Sequence, residues 1–68
     1  MNEDWEALQV LGDQLGWHFD SLLRGLQCYI VVLVDTTGYE MQFKGATPEA
    51  AVRTAVERLS AIAESVRG

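Results

Sequence analysis

One cysteine, one proline and one histidine are all that this 68-residue sequence holds of three residue types that carry much of protein chemistry. With Cys28 alone, no intramolecular disulfide can form and no zinc site can be built from thiolates. With His18 alone, the histidine-rich metal sites are excluded. Basic residues are scarce too: five Lys and Arg stand against ten Asp and Glu, a formal charge of −5. Phosphate backbones attract basic surfaces, so this balance argues against nucleic acid as a primary partner and suits solubility or a basic protein partner. No long apolar run is present. The longest, Cys28 to Val34, has seven residues, whereas a membrane span needs about 20. The acidic start, Met1-Asn2-Glu3-Asp4, is wrong for a signal or transit peptide. Together with the single thiol it sets the expectation of a cytoplasmic protein with no membrane contact.

What is present is apolar mass. The hydrophobic fraction is 49%, with two Trp, two Tyr and two Phe, which argues against disorder. Residues 1–68 make one domain with one small core, a size that is marginal unless the chain associates.

The first helix is expected from about Glu3 to Leu15. Asn2 can cap it, and Glu3, Asp4 and Glu6 sit in its first turn, where the helix dipole favours negative charge. Trp5, Leu8, Leu11 and Leu15 recur at helical spacing. Gly16 suits the left-handed residue that ends the helix, while Gly12 inside it lowers helix propensity. The last helix has a strong start signal, with Thr47 as N-cap, Pro48 at the first helical position and Glu49 behind it. Val52, Ala55, Val56, Leu59, Ile62, Ala63 and Val66 form its apolar stripe. Glu49 precedes Arg53 by four residues, the favourable order for an ion pair, and Arg67 complements the dipole at the far end.

Between the helices the pattern predicts three strands. Trp17 to Ser21 is the first, followed by a turn at Leu22-Leu23-Arg24-Gly25. Cys28 to Val34 is the second. Asp35-Thr36-Thr37-Gly38 turns into the third, Tyr39 to Lys44. The fold class is therefore α+β, in the order α-β-β-β-α with an antiparallel sheet. The alternative continues the first helix through Leu23 and leaves two strands.

The run Cys28 to Val34 is apolar on both faces, but its hairpin neighbour alternates. Register decides which set is left over, because a one-residue slip exchanges the faces of a strand. Gly at the fourth position of both turns suits a type I turn with a bulge. Phe19 then faces Tyr29, Trp17 and Phe43 face Val31, and Met41 faces Leu33. The core face is Trp17, Phe19, Tyr29, Val31, Leu33, Tyr39, Met41 and Phe43. The opposite face is Cys28, Ile30, Val32 and Val34, rimmed by His18, Asp20, Glu40, Gln42 and Lys44. With loops of even length, Tyr29, Val31 and Leu33 are left over instead. Either way an apolar stripe lies mid-sheet between polar rims, the anatomy of an interface. A helix, a second copy in a homodimer or a different protein could cover it.

Catalytic motifs are lacking. No Ser-His-Asp arrangement, phosphate loop or metal-ligand spacing occurs, and Cys28 opens the most hydrophobic strand, where a thiol is inert. The chain reads as a non-enzyme without a cofactor.

Two resemblances follow. The α-β-β-β-α order resembles the double-stranded-RNA-binding domain, whose RNA contacts include lysines at the start of the last helix. The matching stretch here, Thr47-Pro48-Glu49-Ala50-Ala51-Val52-Arg53, carries one arginine and an added carboxylate, so that resemblance implies a degenerate RNA-binding-like domain. Leu15-Gly16-Trp17 leading into hairpins, followed by the helix start Gly45 to Ala50, resembles small phage-encoded α-β-α sandwich proteins. This resemblance implies a phage or mobile-element accessory protein that acts by protein binding, as do small acidic phage proteins that inhibit host defence systems by plugging a partner's surface. A third expectation is a dimeric sponge for a small ligand or nucleotide, with a cleft lined by Trp17, His18 and Tyr29.

Overall fold

The structure, a computed structural model, describes residues 2–67. The elements are α1 (Asn2–Leu15), β1 (Trp17–Arg24), β2 (Tyr29–Asp35), β3 (Glu40–Gly45) and α2 (Pro48–Arg67). The strands form one antiparallel sheet with β2 in the centre. The α-β-β-β-α order is the expected one, and the long first helix that would have replaced a strand does not form.

Each helix begins and ends for a local reason. In α2 the Thr47 hydroxyl accepts a hydrogen bond from the Ala50 amide at 3.1 Å, and its carbonyl accepts from Ala51 at 3.0 Å. The first bond satisfies an amide with no partner inside the helix, and the second is the first rung of the helix ladder. Gly16 ends α1 with φ of 79°, in the left-handed region where a Cβ is unfavourable. Gly12 has a packing reason for its place inside α1: an added Cβ would fall 2.5 Å from the Trp17 carbonyl oxygen. The helix can lie against the start of β1 only because that side chain is missing. The side chains of Asn2 and Arg67, expected to cap α1 and complement α2, lie outside the described residues.

Both helices pack on the same face of the sheet. Leu8 of α1 and Ala51, Val52, Ala55 and Leu59 of α2 join Val31, Leu33 and Phe43 in one buried cluster, with Trp5, Leu11, Trp17, Met41 and Ile62 around it. Alanines at 51 and 55, both fully buried, let α2 approach the strands closely. Trp5 closes one end, edge-on to Phe19 at 4.9 Å.

Several expectations are corrected. Strand β1 does not stop at Ser21 but runs on to Arg24, so the turn moves to Gly25–Cys28, where the Gly25 amide donates to the Cys28 carbonyl at 2.8 Å. Gly25 lacks the positive φ of a G1 bulge. Extension gives Leu22 and Leu23 cross-strand partners in Val31 and Ile30. The pairing slips accordingly: Phe19 lies opposite Leu33 instead of Tyr29, and Trp17 opposite Asp35 instead of Val31. Four residues is an even slip, so Trp17 and Phe19 keep their face. A bulge between Phe19 and Ser21 then absorbs the odd residue, Asp20. Cys28 lies in the loop before β2 and not on the sheet.

The β2–β3 pairing is as expected, with Val31 opposite Phe43 and Leu33 opposite Met41. Gly38 supplies the left-handed residue of that turn, φ 88°. Tyr39, however, precedes β3 and is 65% exposed, touching Trp17 edge-on at 6.1 Å. Val66, expected in the apolar stripe of α2, is exposed. Arg53 does not pair with Glu49: its Nε lies 3.4 Å from Asp4 Oδ2, linking the two helices across their exposed side.

Candidate functional site: the helix-free face of the sheet

With both helices on one side, the other side of the sheet carries no element among the described residues. Register sorts its residues into three rows across β1, β2 and β3. The first row is His18, Val34 and Glu40, the second Ser21, Val32 and Gln42, and the third Leu23, Ile30 and Lys44. Of the two sets that turn chemistry left open, Ile30, Val32 and Val34 belong here. Val31 and Leu33 are core, and Tyr29 packs against that core.

The face is apolar along β2 and polar at both edges. His18, Asp20, Glu40, Gln42 and Lys44 are all exposed. Val32 is only 3% exposed, yet it is not part of the helix-side cluster. Ser21 and Gln42 flank it across the strands, and Ile30 and Val34 lie two residues away along its own strand. In a three-stranded sheet these neighbours suffice to shade a central valine. Ile30 and Val34 are half-buried, and Leu23 is 47% exposed. Ser21, whose parity the Asp20 bulge reverses, is one member of this face that sequence reasoning missed, and Leu23 is another. Its signal was the continuation Ser21-Leu22-Leu23-Arg24, which reads as strand once Leu22 and Leu23 are taken to opposite faces instead of into a turn.

The acidic charge lies mostly elsewhere. All acidic residues except Asp20, Asp35 and Glu40 are on the two helices. On the face, Glu40 and Lys44 stand at opposite ends of β3. Asp20 sits at the bulged rim of β1, where its carboxylate accepts from the Ser21 hydroxyl at 3.2 Å.

Asp35, at the corner where β2 leaves the sheet, is the most heavily bonded carboxylate among the described residues. Its Oδ1 accepts from the Thr37 hydroxyl at 2.7 Å, the Thr37 amide at 2.8 Å and the Tyr39 amide at 2.9 Å. The Thr37 hydroxyl first, and the Tyr39 and Thr37 amides after it, hold its carboxyl below the ordinary carboxylate value. This is turn architecture that fixes the β2–β3 register.

The arrangement offers little to chemistry. His18 pairs with Val34 at one end of β2, and Cys28 lies beyond the other end, about 20 Å away at a strand's rise per residue. Trp17 and Tyr29 face the helices at opposite ends of the sheet, whereas His18 faces away from them. Strand alternation therefore separates the three residues expected to line a sponge cleft. Among the described residues no cluster of three or more His, Cys, Asp or Glu could hold a metal ion, and no helix is long and apolar enough to cross a membrane. An open groove of about 370 Å³ lies between β3 and α2, lined by Met41, Gln42, Phe43, Arg58 and Ile62. No family model matches the chain, and no curated protein or solved structure matches it either.

Proposed function

We propose that this protein is a non-enzymatic protein-interaction module and that the helix-free face of the sheet is its contact surface. One observation carries the reading: a row of β2 side chains, Ile30, Val32 and Val34, extended by Leu23, lies between polar rims on a face without a covering element. An apolar centre with a polar rim is what protein partners cover. Coverage of Leu23, Ile30 and Val34 would add a fraction of the roughly 1.5–3 kcal/mol that separates an exposed from a fully buried large side chain, since Ile30 and Val34 are already half-buried and Val32 is closed to solvent. The resemblance to small phage-encoded proteins implies the same role, an accessory product that works by occupying another protein, but the layers depart from an α-β-α sandwich, because both helices lie on one face of the sheet. A role as a degenerate RNA-binding-like domain draws less support, because Arg53, the cation of the matching helix start, is turned toward Asp4.

The test is a charge placed on the face at a position the fold does not need. Val34→Glu is expected to leave the circular dichroism spectrum unchanged and to abolish whatever assembly the wild-type protein forms, with itself or with another protein, in cross-linking and sedimentation. A folded Val34→Glu variant that keeps every assembly of the wild type overturns the reading.

A further inference from the structure

We propose that the occupant of this face is a second copy of the chain, packed sheet to sheet with strands antiparallel, so that Glu40 of each protomer lies opposite Lys44 of the other. The inference rests on the reading of this face as a contact surface and adds the identity and orientation of what covers it.

A dimer with a two-fold axis brings one patch against itself, so each residue must suit the residue the axis sends to it. Place the axis in the plane between the sheets, across the strands and through the middle row. The first row then meets the third. Val34 faces Ile30, His18 faces Leu23, and Glu40 faces Lys44, each twice by symmetry, while Val32 meets its own copy at the centre. The apolar side chains coincide along β2, and both charges of the β3 rim find an opposite charge. Stacked sheets lie about 10 Å apart, a gap that valine and isoleucine side chains fill from both sides and that Lys44 and Glu40 can span together. The other two-fold direction, along the strands, sets Glu40 against His18 and Lys44 against Leu23, which leaves the ammonium without a carboxylate.

Charge distribution favours a second copy as well. The acidic helices are on the far side of each sheet, so this is the approach that keeps the like charges of two acidic protomers apart. Edge-to-edge pairing is the poorer route. The Asp20 bulge interrupts the free ladder of β1, and bulges and charges on edge strands discourage added strands.

Three strands of this length offer a patch of about 14 by 20 Å. Two such patches together cover about 560 Å², below the roughly 1,200 Å² of stable interfaces, so the dimer is a transient one, expected to have a Kd on the order of 100 µM or weaker.

Sedimentation equilibrium up to about 1 mM (the range that Kd requires) on the wild type, Glu40→Lys, Lys44→Glu, the double exchange, and an equimolar mixture of the two single variants tests the proposal. Both positions are exposed, and circular dichroism checks that the variants fold. Each single variant sets like charges opposite one another and is expected to dimerise about tenfold more weakly. The double exchange restores opposite charges and is expected within about twofold of the wild type. Mixing the single variants is expected to yield a heterodimer as tight as the wild-type dimer. A wild type that stays monomeric, or a double exchange and a mixture that both remain weak, overturns the pairing while leaving the face free for a different protein. A wild-type dimer that survives Val34→Glu places the dimer contact elsewhere and removes the contact-surface reading as well.

Discussion

Val31 and Val32 are adjacent in the chain, point to opposite faces of one sheet and are both nearly closed to solvent, at 0% and 3% exposure, yet only Val31 lies in the core that the helices cover. Val31 sits between Leu22 and Phe43, and Val32 between Ser21 and Gln42. The two shelters differ in kind. Val31 is covered by the helix-side cluster, whereas Val32 is covered by its sheet neighbours alone.

The difference is measurable with an isosteric polar substitution. Val31→Thr puts a hydroxyl among apolar side chains and is expected to cost about 1–3 kcal/mol. Val32→Thr, on the helix-free face with Ser21 and Gln42 as cross-strand neighbours, is expected to cost less, no more than about 1 kcal/mol in the monomer. Urea denaturation of dilute protein gives both values. Equal costs would mean that the second face is as dry as the first.

Asp35 predicts a dependence on acid. Its carboxyl is held below the ordinary value of 3.8 by the Thr37 hydroxyl and the Tyr39 and Thr37 amides. A lowered folded-state value contributes stability that is fully present above the unfolded-state value and is lost as pH falls through the folded-state value. The β2–β3 turn is therefore expected to keep its full contribution at neutral pH and to lose it only below about pH 4. Asp35→Asn is expected to flatten that part of the stability profile. Chemical denaturation between pH 2 and pH 7 follows it, and an unchanged acid limb in the variant would show that the bonds at Oδ1 contribute nothing.

Gly12→Ala sets helix propensity against packing. Propensity alone favours alanine inside a helix by roughly 1 kcal/mol. The new Cβ would meet the Trp17 carbonyl oxygen, and overpacking of this kind costs about 1–3 kcal/mol. Net destabilisation is expected, with a lowered melting temperature. A variant more stable than the wild type would mean that α1 and the start of β1 can separate without loss.

The Arg53–Asp4 pair spans the two helices but is largely open to water, with Arg53 66% exposed. A double-mutant cycle to alanine is expected to give a coupling of about 0–1 kcal/mol, shrinking as salt is raised. A larger, salt-insensitive coupling would mark the pair as a clamp between the helices.

Much of this architecture was legible from residue chemistry that acts locally. Thr47-Pro48-Glu49 opens a helix because its hydroxyl, ring and carboxylate each answer a need of the first turn, and α2 begins at Pro48. Asp35 through Gly38 closes a hairpin whose register follows from the turn itself, so the Val31–Phe43 and Leu33–Met41 pairs were readable in advance. The first hairpin was not. Leu22-Leu23-Arg24-Gly25 has glycine where a bulged turn wants it, but two leucines gain more from cross-strand partners than from a turn, and β1 runs on. Leu23 was missed on the candidate face for that reason, and Cys28 was wrongly placed there.

By itself the sequence determined the number, kind and order of the elements, because caps, turns and apolar periodicity act over a few residues. It also determined that β2 must be apolar on both faces. Only the tertiary structure decided that both helices cover the same face, that a bulge at Asp20 re-phases β1, and that Arg53 turns to Asp4 and not Glu49. These choices depend on contacts between residues far apart in the chain, where shape and packing outweigh local preference. The helix-free face with Leu23, Ile30, Val32 and Val34 between Glu40 and Lys44 results from those long-range choices.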